Sequence, residues 1–161
     1  RQANPLIPLN LVSDRALRSM PQLTRTRLEM CHRLIACRKI VGDRLGYGMC
    51  PSPILDMLLE LFVTTHERRP VYSWSLCMFA HVPISTALRK METMEQEGMV
   101  IREKTGRDRR RIQVCLTPEG RAAVEGLLDR LAQIYAGEPL SASVPPGPRH
   151  LPASGALSSQ D

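Results

Sequence analysis

Aromatic side chains are scarce in this 161-residue chain, with two Phe, three Tyr and one Trp. A platform that stacks the bases of a single strand needs several rings on one surface, so that mode of nucleic-acid binding is disfavoured. No apolar run approaches the ~20 residues of a membrane-spanning helix. The best stretch, residues 54–63, is interrupted by Asp56 and Glu60. Residues 1–22 lack the unbroken apolar segment of a secretory signal, which points to a cytoplasmic location. The five cysteines, at 31, 37, 50, 77 and 115, form no CxxC pair and are odd in number. A disulfide framework or a structural zinc site is therefore not expected, and each cysteine reads as a small buried hydrophobe. The histidines at 32, 66, 81 and 150 fall in separate segments, none at ligand spacing from a Cys or carboxylate. GxSxG, P-loop and HExxH patterns are all missing. The expectation is a protein that is not an enzyme and that carries no metal and no cofactor.

What is present is a chain 43% hydrophobic with a formal net charge of +6 and a pI near 9.4. The apolar fraction suffices for one core, and the basic balance favours a polyanionic partner. Three regions are expected: an irregular arm over 1–22, a folded domain over 23–136, and a tail over 137–161. The tail holds five Pro and five Ser and is expected to be disordered.

Within the domain, residues 23–46 read as a long helix with Thr24 at its N-cap. It carries two apolar stripes, Leu28–Cys31–Ile35 and Leu34–Val41–Leu45, more than one side of a small domain needs. The excess suggests a face shared with a second chain. A second helix over 53–66 is apolar on most of its circumference and so belongs at the centre, with Asp56 and Glu60 as a polar edge, solvated or ion-paired. Val71 and Tyr72 suit a short strand, and Ser73 an N-cap for a helix over 74–80. A turn at 81–83 leads to a helix over 84–96, with Leu88, Met91 and Met94 turned inward. Gly98 suits a left-handed helix end. Alternating residues over 99–105 and 112–116 read as a hairpin around an arginine-rich loop. Thr117, Pro118 and Glu119 then open a helix to about Tyr135. The whole is an α+β, mostly helical chain: a winged helix-turn-helix with long flanking helices.

Residues 83–117 concentrate the polar chemistry. Ser85, Thr86, Arg89, Lys90 and Thr93 share the outward side of one helix, and Arg107, Arg109, Arg110 and Arg111 surround Asp108 in the loop. A helix of this kind fits the major groove of a duplex. Hydroxyls at its start suit phosphate, Arg89 and Lys90 suit base edges, and Arg107 and Arg109 suit phosphate or the narrow minor groove.

These pieces resemble the MarR family of bacterial winged-helix regulators. The matching residues are Ser85-Thr86-Ala87-Leu88-Arg89, Glu97-Gly98-Met99-Val100 with Arg102, Asp108-Arg109-Arg110, and Leu116-Thr117-Pro118-Glu119-Gly120. Met94 and Met99 stand where the family pattern has Leu, and the Pro/Ser tail is outside it. The resemblance implies a bacterial, cytoplasmic, nucleoid-associated transcriptional regulator. It would bind double-stranded DNA at an inverted repeat, as a homodimer joined through helices 23–46 and 118–135. It implies that Asp108 orients Arg110 to hold the wing. It also implies a small-molecule effector, whose identity no residue names. Two alternatives stand beside it: a winged helix used as a protein–protein module, and a thiol-based redox-sensing regulator in which Arg38 and Lys39 would activate Cys37.

Overall fold

The computed structural model describes residues 21–105 and 111–137. The arm over 1–20, the wing tip at 106–110 and the tail from 138 onward lie outside the described residues. Among those described, the order is α1 (Gln22–Leu45), α2 (Pro53–His66), α3 (Ser73–Cys77), α4 (Ile84–Gln96), β1 (Val100–Lys104), β2 (Ile112–Leu116) and α5 (Pro118–Tyr135). None of these helices is long and apolar enough to cross a membrane.

Helix α2 is the centre. Met57, Leu58, Leu59, Leu61, Phe62 and Val63 are all buried, because α1, α3, α4, α5 and β2 surround it. Its polar edge is ion-paired rather than simply solvated. Asp56 accepts two bonds from Arg38, at 2.7 and 3.0 Å, and Glu60 accepts one from Arg69 at 3.1 Å. Arg38 also donates to the Cys50 carbonyl at 3.2 Å, pinning the loop between α1 and α2.

Helix α1 starts two residues before Thr24, which is not its cap. Pro21 precedes the first turn and its carbonyl accepts from Arg25 N at 3.1 Å, with no side-chain cap. Gln22 and Leu23 continue a helix readily, so the first turn extends back until proline ends it. The first stripe packs as expected: Leu28 and Cys31 are fully buried and Ile35 lies against the core. The second stripe divides. Leu34 packs on the core, Val41 is half-buried and Leu45 is exposed. Against α5, Arg27 grips Asp129 through Nε and Nη2 (2.8 and 2.7 Å) and Glu125 through Nη1 (2.7 Å). The fork-shaped guanidinium can satisfy two carboxylates at once. Its hydrogen bond holds Asp129 below the usual carboxylate range.

The two strands form the expected hairpin, antiparallel, pairing Val100 with Leu116, Arg102 with Val114 and Lys104 with Ile112. It is tied to both flanking helices by one joint. Gly98 ends α4 with φ +69°, the left-handed conformation that favours glycine. Thr117 caps α5 by accepting from Gly120 N at 2.9 Å. Its own hydroxyl donates to Gly98 O at 2.5 Å, and its backbone N–H to Met99 O at 3.1 Å. A Cβ on Gly120 would lie 1.9 Å from Met99 O. Gly98 and the Thr-Pro-Glu-Gly run are thus two halves of one contact.

Candidate nucleic-acid interface

Helices α3 and α4 form the helix-turn-helix. The chain ahead of α3 is anchored on the wing: Tyr72 makes a single bridge with Gln113, and Val114 N donates to Val71 O at 2.9 Å. The strand expected at 71–72 is reduced to this bridge. Ser73 does not cap α3 as expected. It is the first helical residue, and its hydroxyl donates to Ile112 O at 3.3 Å. Helix α3 also stops at Cys77 rather than reaching Ala80. Residues 78–80 close by three-residue turns, with Phe79 N on Leu76 O and Ala80 N on Cys77 O.

The turn holds His81 at φ +52°, unusual for a residue with a side chain. Its ring stacks on Tyr47 at 4.1 Å between centroids and 18° between planes. Burial keeps its imidazole below the usual range. Tyr47 in turn lies over Gly42, where a Cβ would fall 2.2 Å from the ring. The end of α1 is thereby fitted against the turn that orients α4.

Helix α4 buries Ala87, Met91 and Met94. Leu88, expected inward, is 36% exposed at the shoulder of the helix. Ala87 takes the inward place because a small residue lets α4 approach the core closely. Ser85, Arg89, Lys90 and Thr93 are exposed, as their assignment to the outward side requires, and Thr86 is half-buried. Thr93 donates its hydroxyl back to Arg89 O at 3.1 Å. Glu92 and Gln96, which the sequence reading did not single out, share the exposed face.

Several scaffold cations are engaged by carboxylates. Arg27, Arg38, Lys39, Arg69 and Arg102 each contact a carboxylate. The Arg89 and Lys90 side chains make no hydrogen bond or ion pair among the described residues. Arg102 on β1 bonds Glu95 at 2.8 Å through Nε and braces β1 on α4. That bond holds the Glu95 carboxyl below the usual range.

At the wing, Thr105 N donates to Arg111 O at 3.0 Å and closes the ladder. Arg107, Asp108, Arg109 and Arg110 lie outside the described residues, and the pairing of Asp108 with Arg110 with them. Arg111 has a role not read from the sequence: its guanidinium sits 4.7 Å over the Tyr72 ring, joining the wing base to the start of α3. The two cations that follow Cys37 in sequence are each engaged with a carboxylate. Cys37 is exposed, but Arg38 is bound to Asp56 and Lys39 to Asp43. Among the described residues no cluster of three or more His, Cys, Asp or Glu side chains is placed to hold a metal.

No protein-family model and no curated protein matches the chain. Two solved structures are similar in fold. One is a MarR family transcriptional regulator from Silicibacter pomeroyi DSS, 20% identical over 86% of each chain, with a TM-score of 0.46. The other is a probable transcriptional regulator from Pseudomonas aeruginosa, 25% identical over 67% of this chain and 80% of that one, with a TM-score of 0.40. Element order, the antiparallel hairpin and the Gly98–Thr117–Gly120 joint identify the described residues as a winged helix-turn-helix with long flanking helices.

Proposed function

We propose that this chain is a sequence-specific double-stranded DNA-binding transcriptional regulator, acting as a homodimer on an inverted-repeat site. The observation that carries the reading is the exposed polar face of α4. Ser85, Arg89, Lys90 and Thr93 stand together in solvent there, and among the described residues the Arg89 and Lys90 side chains have no carboxylate partner. Unpaired cations on a helix narrow enough for the major groove suit base edges, with Arg89 favouring guanine. Ser85 beside the N-terminus of α4 suits a phosphate. Arg107, Arg109 and Arg110 supply the wing's charge toward the backbone or minor groove, with Asp108 orienting Arg110.

Dimerisation is supported by apolar side chains left in solvent on the two outer helices: Leu23, Ile40 and Leu45 on α1, and Leu127 and Tyr135 on α5. Pairing these helices between copies would remove that surface from water and place two copies of α4 about one helical turn apart on DNA. The test is a gel shift on duplex DNA with the full chain and with Arg89→Ala/Lys90→Ala. Binding that weakens with salt and is lost in the double variant supports the proposal. Unchanged binding by the variant, or none by the full chain at low salt, defeats it.

A further inference from the structure

We propose that Trp74 is a sugar–phosphate contact of the duplex interface, a third element beside α4 and the wing. The inference rests on the DNA-binding reading of that same site. Trp74 is the chain's one tryptophan and is 64% exposed on α3. Leu76 and Cys77, both buried, already seat this helix, so packing does not explain a large apolar ring left in water.

Position supplies the explanation. In a helix-turn-helix the first helix crosses the backbone while the second enters the groove, and α3 is that first helix. Its start is fastened to the wing. Ser73 donates to Ile112 O at 3.3 Å, and the Arg111 guanidinium lies 4.7 Å over Tyr72. Trp74 therefore follows one residue after the Ser73–Ile112 bond and two after the Tyr72–Arg111 contact. An exposed indole on the first helix, with the exposed Arg111 anchored at the start of that helix, suits a sugar–phosphate strand. Arg111 supplies positive charge toward phosphate, the indole N–H donates to a phosphate oxygen, and the ring face lies on deoxyribose. Such a contact reads no base, so Trp74 sets affinity rather than sequence preference.

The experiment titrates the full chain with fluorescently labelled duplex of random sequence, following label anisotropy for binding and tryptophan emission for Trp74. Emission is expected to change in step with anisotropy. Trp74→Ala is expected to weaken binding about tenfold, by the same factor on random duplex and on duplex enriched by the wild-type chain. Trp74→Phe keeps the ring without the donor and is expected to fall between the two; it carries the test should the alanine variant fail to fold. Binding with unchanged emission, or wild-type affinity in both variants, overturns the Trp74 contact and leaves the DNA reading standing. Anisotropy that never rises at low salt overturns both. Emission that shifts with protein concentration alone marks the face as an interface between copies and also overturns the proposal.

Discussion

Two glycines of α5 should respond to alanine in opposite directions. Alanine is preferred over glycine within a helix by about 0.8–1.0 kcal/mol. At Gly126 a Cβ would have nothing within 4 Å, so Gly126→Ala should gain a good part of that preference. At Gly120 the new Cβ would sit 1.9 Å from Met99 O and 2.8 Å from Met99 C. Both atoms are backbone, so relief requires α5 to slide more than an ångström from the turn after α4. That slide strains the bond from Thr117 N to Met99 O and the cap from Gly120 N to Thr117 Oγ1. Overpacking costs about 1–3 kcal/mol, and each weakened hydrogen bond about 1 kcal/mol. The sum exceeds the helix preference, leaving Gly120→Ala destabilised by about 2–4 kcal/mol. Urea unfolding followed by far-ultraviolet circular dichroism, at fixed protein concentration, measures both variants. The Gly120→Ala midpoint should fall by about 1 M or more, while that of Gly126→Ala rises. Equal stabilisation of the two would refute the close approach at Met99.

Three further outcomes are expected. Asp129→Asn should destabilise the fold at neutral pH by removing a partner of Arg27. The Arg27 bond lowers the Asp129 pKa, so its contribution is full above the ordinary value of 3.8 and is lost as pH falls through the lower folded value. The gap between wild type and variant, read from urea midpoints along a pH series, should therefore close only below about pH 4. Arg89→Ala should weaken binding to an enriched duplex more than to a random one, whereas Arg109→Ala should weaken both alike. Equal losses for the two variants would contradict their separate roles. Alkylation followed by mass spectrometry should modify exposed Cys50 rapidly and spare Cys31 until denaturant is added, because burial pushes the Cys31 thiol up to about 12.

Much of the fold is legible because its signals are strong and local. The all-round apolar character of residues 53–66 marks the central helix, and alternation over 112–116 places Val114 inward. The Thr117-Pro118-Glu119 start marks α5 to the residue. Errors fall where a local preference competes with a tertiary contact. Ser73 is a good cap by type, yet its hydroxyl is taken by Ile112 O, a partner 39 positions away. Leu88 is more apolar than Ala87, yet close helix packing selects the smaller side chain for the inward place. Asp56 and Glu60 are readable as a polar edge, but their partners Arg38 and Arg69 are not, because sequence distance carries no pairing information. The same limit hid the Arg111–Tyr72 contact and the Tyr47–His81 stack. Of the candidate site, the outward places of Ser85, Arg89, Lys90 and Thr93 on α4 were readable from helical spacing, whereas Thr86 is half-buried. That Arg27, Arg38 and Arg69 are held by carboxylates emerges only from the structure.

The central claim is a symmetric pair of α4 helices reading duplex DNA, and selection of bound sequences from random duplex by the full chain tests it most directly. An inverted repeat whose half-sites lie about one helical turn apart should be enriched. No enrichment, or a single motif without two-fold symmetry, would contradict it.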